Sequence, residues 1–459
     1  MTTPTTAQPV NETGNIIESL TASLSKKIPE RIVHANGTGA LGYFVGKYTS
    51  AGLFTKMGVE VPVMARFSTT VLETGSSDGV EDMRGFAVKF YTQDGNYDLL
   101  MLNIKAFNIR DPILFPSIGR SRMRHPETFV LDPDTYWDFT SLRPEVTFGT
   151  LLSFSDAGRM KNYREMKGFA LNTFKWTGGQ CGESVFVRYH MLPDDVQEPV
   201  STSPSSCPYE DPDHFRKDLY HSIKSSRFPT WTLNIQIMTP STSSTCTFDP
   251  FDPTKIWPEK EFPLIPVGTM TLNQNPSNFA EQIEKVAFHP GNLIPGVALS
   301  PDRVLHGRIF AYSVAQRHRL GRDFNKIPVN CPLHRNEKTE IFSNRFNQVK
   351  YFPSSFNGIS SHNGNRNGNE GGDIVTSDTV TRPDRGQEDN YRQIDDYWRG
   401  EMSPEERVRT VKAIAKSLAM AKPEIRERSF ERNWDPINKE LSEMLRKEIE
   451  ILNEMKCKL

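Results

Sequence analysis

A chain of 459 residues exceeds the usual size of a single hydrophobic core, so one large domain with appendages or two domains are expected. Its 55 Lys and Arg nearly cancel its 56 Asp and Glu, leaving a net charge of −1 and no electrostatic footprint for nucleic acid or an anionic membrane. No stretch approaches the roughly 18 uninterrupted apolar residues of a membrane span, and MTTPTTAQPVNETG lacks the charged and apolar regions of a secretory leader, so a soluble, non-secreted protein is expected.

Residues 1–30 are polar and Thr-rich and read as an extended arm. From about Val61 the pattern turns to β. Phe86, Val88 and Phe90 alternate with Ala87, Lys89 and Tyr91, and Asp94-Gly95 supplies a hairpin turn before the apolar run Leu99 to Leu102. Alternation recurs from Val185 to Tyr189 and at Trp231, Leu233, Ile235 and Ile237, which predicts an antiparallel sheet or barrel. Proline density rises between Pro240 and Pro301, so long irregular connections wrapping the outside are expected there. Asn357 to Gln387 is rich in Gly, Asn, Ser and Asp and reads as a linker, placed in the domain plan at 356–390. Beyond it the period is helical. Ser403-Pro404-Glu405-Glu406 is a capping box, followed by an apolar face of Val408, Val411, Ile414 and Leu418 that Pro423 ends. A last helix from about Pro436 carries Ile437, Leu441, Met444, Leu445 and Ile449.

Five scattered cysteines, with no Cys-x-x-Cys spacing, suit a reducing compartment. The final Cys457-Lys458-Leu459 is similar to the Ser-Lys-Leu peroxisomal address, which points to a peroxisomal protein, otherwise a cytoplasmic one.

The chemistry concentrates in two segments. Arg308 to Gly321, Arg-Ile-Phe-Ala-Tyr-Ser-Val-Ala-Gln-Arg-His-Arg-Leu-Gly, sets Tyr312 one helical turn after Arg308 and two turns before Arg319. A phenol is a poor metal ligand at neutral pH, and a guanidinium on the same helix face favours the phenolate. Arg31-Ile32-Val33-His34-Ala35-Asn36-Gly37 places a histidine just before a Gly-rich run. Both segments resemble those of haem catalases, in which tyrosinate is the proximal iron ligand. So do Met64 to Thr69, Arg84 to Tyr91, Ile109 to Ser117, and Ile265 to Pro276, all in the same order. The resemblance covers roughly residues 28–355, and the two helices after the linker resemble the family's C-terminal helices.

That resemblance implies an α+β fold: an antiparallel β-barrel enclosing haem, with an N-terminal arm, a wrapping segment and C-terminal helices. The domain plan is an arm at 1–30, a barrel core at 31–355, the linker, and a helical region at 391–459. Tyr312 is implied as the iron ligand supported by Arg308, and His34 as the general base that takes the peroxide proton and returns it to the leaving oxygen. Ser68 matches the serine that hydrogen-bonds the distal histidine. Arg31, Arg66 and Arg319 match the arginines that neutralise the haem propionates. Val33, Gly85, Phe107 and Phe115 would line the haem or its distal pocket. Aligned without a gap, the family's catalytic asparagine falls on Leu102, so Asn103 is the candidate to stand in for it, and Asn108 replaces a phenylalanine. Ser313, Val314 and Ala315 replace Pro-Asp-Thr after the tyrosine. Phe148-Gly149 replaces His-Gln, and Glu165, Leu171 and Asn172 replace residues associated with NADPH, which is therefore not expected. The implied activity is haem-dependent cleavage of a peroxide O–O bond, with hydrogen peroxide decomposition as the family default. An enzyme converting organic hydroperoxides, like the catalase-related allene oxide synthases, and a haem-binding pseudo-enzyme are the alternatives; Val33 stands where those synthases carry threonine. A homo-oligomer is implied by resemblance.

Overall fold

The computed structural model describes residues 28–47, 58–71, 73–177, 183–195, 211–332 and 389–457. The bulk of the expected N-terminal arm, residues 356–388 of the expected linker, and Lys458-Leu459 lie outside the described residues.

Ten strands form one antiparallel sheet: β1 Gly37–Gly46, β2 Glu60–Thr69, β3 Arg84–Thr92, β4 Gly95–Leu102, β5 Gly168–Phe169, β6 Phe174–Trp176, β7 Val185–Pro193, β8 Thr230–Met238, β9 Ile265–Gln274 and β10 Val297–Leu299. Pairing of β7 with β8 closes eight of them into a barrel in the order β7-β5-β4-β3-β2-β1-β9-β8, while β6 and β10 extend from β7. The predicted alternation decides which side chains turn inward. Phe67, Phe86 and Met101 lie opposite one another on neighbouring strands, and with Val88, Phe90, Tyr97, Leu99 and Trp231 they fill the barrel. The hairpin between β3 and β4 turns at Gln93-Asp94, with Gly95 in the left-handed region at φ 122°.

The helices are α1 Phe115–Arg120, α2 Pro133–Ser141, α3 Thr147–Phe154, α4 His214–Lys224, α5 Pro240–Thr245, α6 Arg303–Leu320, α7 Arg392–Gly400, α8 Pro404–Leu418, α9 Pro423–Ser429 and α10 Lys439–Cys457. The expectation of irregular chain from Pro240 to Pro301 is corrected by β9, a ten-residue barrel strand. Pro266 is accommodated where the β8–β9 register shifts, and Met270 and Leu272 supply the alternating inward side chains. Ser403 caps α8, its Oγ accepting the Glu406 N–H at 3.1 Å. Val411, Ile414 and Leu418 are buried, whereas Val408 faces solvent. Pro423 opens α9 rather than closing α8, because a residue lacking an N–H suits the first turn of a new helix.

A second core joins α7 to α10 to the barrel side of the molecule. Trp398, Ile414, Leu418, Trp434, Leu441 and Leu445 pack with Trp137 of α2, Leu151 of α3, and Ile104 and Ala106 just after β4. On the outer wall of the barrel, Lys89 of β3 and Asp98 of β4 form a 2.8 Å ion pair with side chains 1% and 0% exposed. Removing one member strands a buried charge. Lys89→Met is expected to lower the unfolding free energy by about 3–5 kcal/mol, read from denaturant midpoints at constant slope.

Candidate active site

The register that fills the barrel also builds the site, on the opposite face of the same strands. Ser68, Gly85 and Leu102 are direct cross-strand partners on β2, β3 and β4, so they form one row pointing outward. His34, just before β1, lies across this row. Its Nδ1 is 3.1 Å from Ser68 Oγ, and a Cβ on Gly85 would stand 2.6 Å from Nδ1 and 2.8 Å from Cε1. Glycine is required there by close approach. The sequence-based picture of a barrel enclosing the site is thus corrected: the interior is filled by aromatic and aliphatic side chains, and Ser68 and Gly85, with His34 across them, lie on the outer wall.

His34 has φ 64°, a costly conformation for a residue with a side chain. The turn is held by its own N–H, which donates to Thr70 O at 2.9 Å, and by Arg66, which donates to the carbonyls of His34 and Ala35 at 2.8 and 3.0 Å. Burial, followed by the charges of Arg66 and Arg308, pushes the His34 imidazole down to about 3, opposed by a backbone hydrogen bond to Thr69. The ring is neutral at ordinary pH and able to accept a proton.

Tyr312 stands on α6, whose first turn is capped by Asp302, accepting the Leu305 N–H at 3.0 Å. The same carboxylate starts a chain of polar contacts. Asn172 Nδ2 donates to Asp302 Oδ2 at 2.8 Å, Arg308 donates to Asn172 Oδ1, and Arg308 Nη2 donates to Tyr312 Oη at 3.3 Å. The Arg308 guanidinium also lies 5.5 Å from the Tyr312 ring centroid. Burial raises the Asp302 carboxyl, against the opposing pull of its hydrogen bonds. Arg308 is therefore common to both halves, bonded to the tyrosine and bearing electrostatically on the histidine.

Arg31, Arg66 and Arg319 gather around one carboxylate. Arg31 pairs with Glu284 at 3.1 Å and Arg66 approaches it at 3.9 Å. Arg31 also donates to the carbonyls of Ile283, Glu284 and Val286 at 3.0 Å, and Arg319 donates to those of Glu284 and Val286. Burial lowers all three guanidinium groups, and repulsion from Arg31 adds to the effect at Arg66 and at Arg319, which falls to about 9. Three cations against one carboxylate form a patch suited to a group carrying two further negative charges. Arg66 Nε is buried with no hydrogen-bond partner among the described residues.

The remaining candidates are placed as follows. Phe107 and Phe115 lie with ring centroids 5.8 Å apart. Val33 is 42% exposed. Asn103 is buried and committed to backbone, its Oδ1 accepting the Arg84 N–H at 2.7 Å and its Nδ2 donating to Ala157 O at 2.6 Å. Leu102, not Asn103, occupies the row shared with Ser68 and Gly85. Asn108 packs on Gly149 of α3, with neither amide atom hydrogen-bonded. Glu284 and Asp302 escaped sequence reasoning. A capping signal, Asp302 three residues before Leu305 at the start of a helix, could have revealed the second; nothing local marks the first.

Residues 3–358 match the family described as Catalase, and residues 384–449 match Catalase-related immune-responsive. The chain belongs to the catalase family. It is 38% identical to the catalase of Drosophila melanogaster over 455 residues, covering 96% of this chain and 89% of that one. It is 40% identical to the catalase of Ascaris suum over 449 residues, covering 94% and 81%. The structure of a bacterial catalase superposes with a TM-score of 0.85 at 31% identity, over 98% of this chain and 92% of the other. As a member of the catalase family, the chain is an oxidoreductase that decomposes a peroxide.

In this catalase-family site the position of the imidazole depends on the absence of a side chain at Gly85. Gly85→Ala is expected to displace His34 and lower kcat/KM for peroxide about 100-fold while the fold is retained, as checked by oxygen release and circular dichroism.

Proposed function

We propose that the chain is a haem-dependent enzyme decomposing hydrogen peroxide, with Tyr312 as the iron ligand and His34 as the distal base. The observation that carries this reading is the Asp302–Asn172–Arg308–Tyr312 chain, whose guanidinium also acts on His34. The residues fit a haem on their own chemistry. Arg31, Arg66 and Arg319 supply the positive patch that two propionates would balance, and Gly85 leaves the distal histidine lying across the strand. When bound, haem supplies the redox chemistry of O–O cleavage.

The side chains supply positioning and proton transfer. With the ring hydrogen on Nδ1, 3.1 Å from Ser68 Oγ, Nε2 of His34 is the nitrogen left to take the peroxide proton and return it to the leaving oxygen. Arg308 donates to Tyr312 Oη and so holds that oxygen in place for metal ligation. Leu102 puts an apolar group on the row of Ser68 and Gly85 where the family resemblance implies an amide donor. This favours a second reading, conversion of an organic hydroperoxide whose apolar body would meet Leu102. A homo-oligomer and a peroxisomal location, drawn from the family and from the Cys457-Lys458-Leu459 tripeptide, belong to the same proposal.

Tyr312→Phe is expected to abolish the ferric tyrosinate spectrum; an unchanged spectrum would refute the ligand assignment. On the haem-loaded protein, oxygen evolution from hydrogen peroxide supports the first reading, and selective consumption of a fatty-acid hydroperoxide supports the second. Inactivity toward both would sink the enzymatic reading.

Acid dependence follows from the depressed His34 imidazole. Its folded pKa, about 3, lies below the ordinary value of about 6.5, so the unfolded chain binds the proton first as pH falls. This group's contribution to stability is present above about pH 6.5 and is lost as pH falls toward 3. Between pH 5 and 8, kcat/KM should show no acid limb from His34, and a limb near pH 6.5 that disappears in His34→Gln would contradict that.

A further inference from the structure

Beyond its first turn, the helix that carries Tyr312 is tied to the segment 284–289 by hydrogen bonds. Of its side chains, only Val304, Leu305, Gln316 and Arg319 are buried, and the two apolar ones lie in the first turn, well before the tyrosine. From Ile309 onward, α6 runs along the segment 284–289 through contacts on a single stripe. Arg319 donates to Glu284 O and Val286 O, Gln316 Nε2 donates to Phe288 O at 3.3 Å, and His289 meets both Ile309 and Ser313.

The His289 contact is the rung nearest the tyrosine, and its hydrogens can be assigned. The Gly291 N–H donates to His289 Nδ1 at 3.0 Å, so Nδ1 is the acceptor and the neutral ring carries its hydrogen on Nε2. Nε2 is 3.1 Å from Ile309 O, which can only accept, and 2.8 Å from Ser313 Oγ. One N–H is thus shared between two residues that bracket Tyr312 in a single helical turn. Burial holds the imidazole below its ordinary range, consistent with the neutral form.

The other end of the contact is rigid. The His289 N–H and Asn292 Nδ2 both donate to Asp98 Oδ2 at 2.8 Å, and Asp98 is the buried partner of Lys89. A Cβ on Gly291 would stand 2.9 Å from His289 Cε1, so the loop folds against the ring only with glycine there.

We infer that His289 is a positioning residue: its forked hydrogen bond to Ile309 and Ser313 pins the turn bearing Tyr312 to the barrel wall through Asp98. Arg308, through Asn172, ties the same turn to Asp302. This inference rests on the reading of Tyr312 as the iron ligand.

The test uses purified full-length protein and the variants His289→Phe, His289→Gln and Ser313→Ala. His289→Phe should speed amide exchange at residues 309–313 about tenfold, the factor carried by one lost hydrogen bond, and leave α10 unchanged. At equal haem content it should also shift the ferric tyrosinate band. His289→Gln, which keeps a donor near the Nε2 position, should restore both readouts, and Ser313→Ala should fall between. Wild-type exchange at 309–313 in His289→Phe, or an unmoved band, overturns the inference. A wild-type protein with no tyrosinate band overturns the iron-ligand reading instead, and the exchange difference then still decides whether His289 staples the helix.

Discussion

The antiparallel register of β2, β3 and β4 is the constraint on which the molecule depends. Because side chains alternate, setting Phe67 opposite Phe86 and Met101 inside the barrel also sets Ser68 opposite Gly85 and Leu102 outside it. The packing that stabilises the barrel and the row that receives His34 are two faces of one pairing. A slip by one residue would turn Ser68 inward among aromatics and bring Phe67 to the imidazole. The apolar interior therefore enforces the geometry of the polar exterior.

On the facing side, position is set by directional contacts. Asp302 caps α6 and anchors Asn172, Arg308 passes that anchorage to Tyr312, and His289 grips the same turn from the barrel. Apolar packing tolerates small sliding, whereas hydrogen bonds fix both distance and angle. The arrangement fixes the position of the Tyr312 oxygen. The strained backbone at His34 has the same logic, since Arg66 and Thr70 together hold a conformation the residue would not adopt alone.

Much of this was legible in the residues. Alternation at Phe86, Val88 and Phe90 gave β3, the capping box at Ser403 gave the start of α8, and the spacing of Arg308, Tyr312 and Arg319 gave one face of α6. Other parts depend on distant chain and left no local mark. β9 was hidden because Pro266 and the prolines flanking the strand argue for loop, while its pairing with β1 and β8 supplies the hydrogen bonds that outweigh them. The location of the site outside the barrel could not be read, because alternation reveals two faces without saying which one is enclosed. Glu284 is a surface-type residue in sequence and acquires meaning only when Arg31 and Arg66 arrive from more than 200 positions away. Asn103 sits one residue from Leu102, and a strand's period of two is enough to send its amide to Arg84 and Ala157.

The second core gives the C-terminal helices a standing different from that of an appendage. Ile104 and Ala106 belong to it, and they lie in the stretch that leaves Leu102 and leads to Phe107. The helices beyond residue 389 thus pack against the stretch between β4 and Phe107. Truncating those helices would strip apolar cover from that stretch and expose Ile104 and Ala106 to water.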